Sequence, residues 1–356
     1  ITEAVKAAQG GDTITVRQGT YRESVALDKS GTAERPTVLR AAPGQRVIVS
    51  GFTPIAGWKP FRENLYFTTV EGPVEDLFVG YMPQPVSRWP GSDEPWRYLN
   101  KCDAAAGEFR DSQGLDEQSW LADIAAHPGA ARLYLYVAHG NYFRDVPLTR
   151  FDPSSSTFTV GEKRVIGPLR GERDRYQITN HVALVRRPGQ WAAERIDEKQ
   201  TRVVFWPADE KDLEHTQVRQ RARPLIRVGH WKDPVAHVRV EGLEVTGSGR
   251  TGIELGRCEH VTVTRSIAHH NRGNGVAARR TSNITISENI AFANGSGISV
   301  TSTRHATVER NEIALNTVDG LIVAGNVSGR PDGEPTTEDV VVRSNYIHHH
   351  LLLGHP

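Results

Sequence analysis

His237-Val-Arg-Val-Glu-Gly-Leu-Glu-Val245, His260-Val-Thr-Val-Thr-Arg-Ser-Ile-Ala268, Asn283-Ile-Thr-Ile-Ser-Glu-Asn-Ile-Ala291 and His305-Ala-Thr-Val-Glu-Arg-Asn-Glu-Ile313 follow one another at intervals of 22 or 23 residues. After an insertion of about a dozen residues rich in Gly, Pro and Asp, Asp339-Val-Val-Val-Arg-Ser-Asn-Tyr-Ile347 resumes the pattern. The second half of each unit turns on a glycine: Thr251-Gly-Ile-Glu-Leu255, Asn274-Gly-Val-Ala-Ala278, Ser296-Gly-Ile-Ser-Val300 and Asp319-Gly-Leu-Ile-Val323. Such glycines supply the open backbone of a tight corner. Within each half, apolar and polar residues alternate, the period of a strand with one buried face. Short strands, sharp corners and a repeat of this length describe a solenoid of parallel strands. The fold class expected is therefore all-β, a right-handed parallel β-helix.

Stacking sets like residues over like. Val240, Val263, Ile286, Val308 and Val342 should form one inward ladder. Val245, Ala268, Ala291, Ile313 and Ile347 should form a second, and Ile253, Val276, Ile298 and Leu321 a third. Asn289, Asn311 and Asn345 share a column, as do Asn271, Asn294 and Asn316. Stacked amides can hydrogen-bond from coil to coil and satisfy backbone groups at the corners, so these columns read as scaffold before they read as sites.

Working toward the N-terminus, Ile1 to Gln9 reads as a short amphipathic helix with Ile1, Val5 and Ala8 on one side. A helix there would cover unpaired strand edges at the end of the solenoid. Asp12–Val16, Thr37–Ala41 and Arg46–Ser50 read as strands. From about Phe52 to Arg223 the repeat disappears. Separate strand signals remain at Leu133–Val137, Thr157–Val160 and Arg202–Trp206. Three regions follow: residues 1–52, a cap helix and first coil; 53–222, an inserted β-rich domain leaning on the solenoid as one wall of a cleft; and 223–356, the remaining coils. Pro356 falls within a coil, so the solenoid is expected to be truncated there.

Composition excludes several classes. With 38% hydrophobic and 24% charged residues the chain is too apolar for disorder. A formal net charge of +1 gives no global attraction to nucleic acid. No apolar run reaches the roughly 18 residues of a membrane span. The two cysteines, Cys102 and Cys258, cannot form a disulfide framework or a four-thiolate zinc site. Seven Trp and nine Tyr suit a sugar binder, although core packing explains any single ring equally well.

Gly10-Gly-Asp-Thr-Ile-Thr-Val16, Gly19-Thr-Tyr21, Ser30-Gly-Thr-Ala-Glu-Arg-Pro36, Ala42-Pro-Gly44 and Ser50-Gly51 resemble the N-terminal coil of parallel β-helix carbohydrate-active enzymes, lyases and hydrolases alike. Phe78-Val-Gly-Tyr-Met-Pro-Gln84, Ser87-Arg-Trp-Pro90, Tyr176-Gln-Ile-Thr-Asn180, Arg187-Pro-Gly-Gln-Trp191, Val204-Phe-Trp-Pro207 and Arg223-Pro-Leu-Ile226 resemble glycoside hydrolase family 141 and its β-helix relatives. In those relatives a Glu stands where this chain has Gln190. The resemblance spans nearly the whole chain but rests on structural motifs. It implies a secreted or periplasmic enzyme that hydrolyses a plant or microbial polysaccharide or oligosaccharide, with no cofactor. It does not transfer catalytic residues.

Glycosidic hydrolysis uses two carboxyls, about 5–5.5 Å apart for retention and 6.5–9.5 Å for inversion. Asp319, in the corner column of Thr251, Asn274 and Ser296, is the leading catalytic candidate, set against a turn Asp that caps backbone. Glu254 points outward three coils away, roughly 14 Å at the strand spacing, and is placed with the substrate-binding residues. His349 and His350 are catalytic candidates as general base or clamp, against a plain corner histidine. His270 and His355 are assigned to substrate. Adjacent imidazoles on a strand face opposite sides, so no metal site is assigned. Arg279 and Arg280 read either as a solvated edge or as a groove for a uronate carboxylate. A polysaccharide lyase, which could draw on Ca²⁺, and a non-catalytic glycan binder are the alternatives.

Overall fold

The computed structural model describes all residues except 104, 112–114, 116–119, 138–141, 162–173, 221–222, 230–232, 326–335 and 351–356, and omits the side chains of 100, 129 and 142. The chain forms two compact units, Ile1–Thr53 with Arg219–Pro356, and Pro54–Val218.

The first unit is a parallel β-helix with three faces. One face stacks Val25–Leu27, Ile226–Val228, Ile253–Gly256, the first half of Asn274–Ser287, the first half of Ser296–Glu309, and Leu321–Ala324. A second stacks Thr13–Val16, Thr37–Ala41, Val235–Glu241, Cys258–Thr264, the later halves of the same two long strands, and Glu338–Arg343. The third stacks Gly19–Tyr21, Val47–Ser50, Glu244–Thr246, Ile267–His269, Ile290–Phe292, Glu312–Ala314 and Tyr346–His348. All neighbours pair in parallel, and the helix is right-handed, the hand that parallel strand crossovers take.

The registers superpose the three aliphatic ladders as the repeat requires. Val240 lies over Val263, Ile286, Val308 and Val342. Val245, Ala268, Ala291, Ile313 and Ile347 superpose on the third face. Ile253, Val276, Ile298 and Leu321 do so on the first. Most of these side chains are fully buried in one continuous core, to which Val5 of the helix Thr2–Ala7 adds, with Ile1 and Ala8 packed beside it.

Both asparagine columns are hydrogen-bonded rung to rung. Asn294 Nδ2 donates to Ala268 O at 2.9 Å and to Asn316 Oδ1 at 3.1 Å. Its own Oδ1 accepts from the Asn271 backbone N–H and from Asn271 Nδ2. Asn289, Asn311 and Asn345 repeat the scheme. Each buried amide thereby satisfies backbone groups that a corner strips of their sheet partners.

The repeat glycines serve a different purpose from the one expected. Gly252, Gly275, Gly297 and Gly320 do not take a positive φ. They are glycine because the asparagine column leaves no room: a Cβ on Gly297 would stand 2.5 Å from Gly320 O and 2.9 Å from Asn316 Nδ2. The left-handed corners fall elsewhere, on residues with side chains. Arg265, Glu288, Arg310 and Ser344 form one such column, and His270, Ala293, Leu315 and His349 another, with φ from 51° to 58°. One rung earlier Gly242 and Gly247 hold the same two corners with positive φ. An L-residue there costs roughly 1–2 kcal/mol. The cost is sustained because the rungs above and below bond every corner in register.

The excursion begins later in the helix than the sequence indicates. Five strands precede it, nearly two turns, because Gly19–Tyr21 and Val25–Leu27 are strands as well. Three residues are too few to display an alternation, which is why they read as loop. The stack then continues as if uninterrupted: Val25–Leu27 pairs with Ile226–Val228, Thr37–Ala41 with Val235–Glu241, and Val47–Ser50 with Glu244–Thr246.

The second unit, Pro54–Val218, is β-rich and antiparallel. Arg175–Thr179, Arg97–Asp103, Glu108–Asp111, Thr157–Val160, Tyr142–Asp152 and Arg132–Val137 pair in that order, and the last pairs back with the first, closing a barrel. Leu99, Phe109, Trp120, Leu133, Leu135, Phe158, Tyr176 and Ile178 fill it. A separate sheet joins Trp191–Arg195, Gln200–Phe205, Leu65–Glu71 and Lys59–Arg62. Gln190 accepts the Arg186 and Arg187 backbone N–H groups through Oε1 at 2.9 and 3.1 Å. That turn needs an oxygen acceptor and not a charge, and the Gln190 amide supplies it.

Candidate functional site

On the first face the outward columns are uneven, and the unevenness makes a hollow. Glu254 is followed up the stack by Ala277, Ser299 and Ile322, and Gly256 by Arg279, Thr301 and Ala324. Small side chains between large ones leave an open groove of about 700 Å³. Its charged lining is Glu254 with Arg250, Arg257, Arg279 and Arg280. Arg257 and Arg280 sit on left-handed corners, φ 53° and 56°, which turn them out at the edge of the face. The Glu254 carboxylate makes no hydrogen bond or ion pair with any described residue. It is also the one carboxylate among the described lining residues. An acid in a polar groove without a partner is available to a ligand, and four guanidinium groups around it suit carboxylate or hydroxyl oxygens.

The structure thus gathers Glu254, Arg279 and Arg280 in one place. The remaining candidates lie elsewhere. Asp319 is exposed at the start of the strand Leu321–Ala324, where its carbonyl accepts the Gly297 N–H at 2.9 Å. It stands three rungs from Glu254. His350 takes the next position in the asparagine column, its Nδ1 accepting the Asn316 N–H at 3.3 Å. Burial lowers its basicity, while the charge of Asp319 acts in the opposite sense. His349 occupies a left-handed corner with its Nδ1 2.6 Å from His348 Nδ1. His355 lies outside the described residues.

His270 belongs to a buried polar cluster on the third face that the repeat analysis missed. Arg46 clasps Glu244 with two bonds of 2.7 and 2.8 Å. His269 Nε2 lies 3.1 Å from Glu244 Oε1, and His269 Nδ1 lies 2.7 Å from His270 Nδ1. Burial alone would raise the Glu244 carboxyl, but His269 and Arg46 hold it down at about 2. Burial, then His269 and Arg219, push His270 down to about 4. At 2.7 Å one of the two Nδ1 atoms donates and the other accepts. The sequence carried only a weak signal for it: the column reads Ile48, Glu244, Ile267, Ile290, Glu312 and Tyr346, so Glu244 stands between two Ile but is not the column's one acid. Among the described residues no group of three or more His, Cys, Asp or Glu is arranged to hold a metal ion.

Comparison with known proteins agrees with this architecture. Residues 231–351 match the family described as the right-handed beta helix region. No curated protein matches the chain by sequence. Among solved structures, a protein named as a glycoside hydrolase superposes over 95% of this chain and 76% of its own, with a TM-score of 0.71 and 15% identity. The complex of XylC with xylose aligns over 97% of this chain and 59% of its own, with a TM-score of 0.49 and 13% identity. The tailspike gp61 of Pseudomonas phage phi297 aligns with a TM-score of 0.24 and 9% identity. The fold, the matched region and the first of these superpositions define the chain as a right-handed parallel β-helix protein.

Proposed function

We propose that the protein is a secreted or periplasmic glycoside hydrolase acting on a plant or microbial polysaccharide, with the reaction in the first-face groove and Glu254 as its proton-transferring carboxylate. One observation carries the reading: Glu254, without any described partner, faces a groove that runs across stacked coils. The superposition on a glycoside hydrolase over almost the whole chain supports it. A carboxyl placed against a glycosidic oxygen can protonate the leaving group, and the flanking arginines would fix the sugar chain along the coils. Asp319 stands roughly 14 Å from Glu254 by rung spacing, too far to be the second carboxyl. It is assigned, with His349 and His350, to contacts further along the same chain of sugars.

The excess of arginine favours a second reading, elimination on a uronate. There guanidinium groups neutralise the sugar carboxylate, a base removes the C5 proton, the C4–O glycosidic bond breaks as the C4=C5 double bond forms, and the departing oxygen takes up a proton. The described residues offer no acidic cluster for Ca²⁺. Incubation with neutral and uronate-containing polysaccharides decides the matter. New reducing ends without ultraviolet absorbance support hydrolysis, and unsaturated, absorbing products support elimination. Neither product, with retained glycan affinity, would leave a binding protein.

A further inference from the structure

We propose that the second unit binds a pair of neutral sugar residues in a furrow of its own, bounded by Phe61, Asp123, His181, Glu194 and Trp206. Two hollows of about 260 and 350 Å³ share Arg62, Asp123 and Val182 as lining, so they adjoin. Each is at or below the low end of the roughly 300–1,000 Å³ that small-molecule pockets occupy, a size suited to one ring apiece. Each has an aromatic wall: Phe61, 41% exposed, in the first, and the half-buried Trp206 in the second. Flat apolar rings beside scattered polar groups are what a sugar presents surfaces for, an apolar ring face and a rim of hydroxyls.

The polar groups are placed to meet those hydroxyls. Asp123 and His127 lie four residues apart at one side of the helix Leu121–Ala126, and neither side chain bonds to a described residue. His181 is 2% exposed and locked in place, its N–H and carbonyl both bonded to the Ser87 hydroxyl. Its Nδ1 accepts the Ala183 N–H at 3.2 Å. Burial keeps the ring neutral down to a pKa of about 4, so its one proton must sit on Nε2. Nε2 makes no hydrogen bond to a described residue, which leaves a fixed donor in the wall of the first hollow. Arg62 and Arg202 stand against Asp123, Glu194 and Glu63, with Arg202 and Glu194 paired at 3.5 Å. Charges so nearly balanced select a neutral polyhydroxyl compound. The arginine-rich groove of the β-helix has the opposite character.

Calorimetric titration of the full chain with cellobiose, xylobiose and mannobiose tests the proposal, with digalacturonate as the charged control. At least one neutral disaccharide should bind, and digalacturonate should not displace it. Phe61→Ala and Asp123→Asn should each weaken that binding about 10-fold. Glu254→Gln, in the other unit, should leave it unchanged, so loss of the hydrolase reading would not touch this one. The proposal is overturned if none of the three neutral disaccharides binds. It is equally overturned if binding survives both substitutions with the circular dichroism spectrum intact. Should Phe61→Ala fail to fold, Asp123→Asn alone decides.

Discussion

The asparagine column at Asn271, Asn294 and Asn316 and the groove column at Glu254, Ala277, Ser299 and Ile322 are built by the same operation, one residue per rung, yet they differ in kind. In the first, every rung repeats because each amide completes the hydrogen bonds of the next. In the second, no rung repeats the one before it. In a stacked fold, sameness marks what holds the coils together. A lone acid among small residues marks a place where the scaffold makes no demand.

That contrast can be broken by substitution. Glu254→Gln should lower turnover roughly 100- to 10,000-fold, the range for losing a general acid or base, while the denaturation midpoint stays put. A fall in stability with activity intact would make Glu254 scaffold. Asn294→Ala should do the reverse. It strips partners from Asn271, Ala268 and Asn316 in the buried interior and should cost about 2–5 kcal/mol in urea unfolding.

Acid should act on both units. The unfolded imidazole, at its ordinary 6.5, takes up a proton that His181 and His270, each held at about 4 chiefly by burial, refuse in the folded chain. Stability is therefore intact above 6.5 and falls as pH drops from there to 4. Glu244, near 2 when folded against 4.5 otherwise, adds a further loss between those values. Thermal melts stepped through this range should decline in two stages, and His270→Gln should flatten the upper one. The smallest effect belongs to Arg279→Ala: stability within about 0.5 kcal/mol, with the change confined to glycan affinity and its salt dependence.

The same contrast explains what could be read from sequence. The ladders were legible because five coils repeat the same aliphatic positions, from Val240 to Val342. Glu254, Arg279 and Arg280 were legible as outward positions once the register was fixed. The corners were not. Arg265, Glu288, Arg310 and Ser344 share one backbone conformation although they are two arginines, a glutamate and a serine, because tertiary pairing imposes it against local preference. The Glu244–His269–His270 cluster was hidden for a related reason. Arg46 reaches Glu244 across 198 residues of sequence, and no local period links them. Within Pro54–Val218 nothing repeats, so separate strands could be recognised but their closure into a barrel could not.

The point where the chain departs from the β-helix has a practical consequence. The excursion leaves and returns side by side, for Ile55 N–H donates to Thr216 O at 3.1 Å. The solenoid strands on either side of it already pair in register. A ribosome making this protein therefore finishes the opening rungs long before their neighbours exist, and they must wait, open-edged, for a whole domain to be synthesised. A cassette anchored in this way could be cut out and replaced by a few residues, or exchanged for another, with the register of the solenoid strands on either side kept.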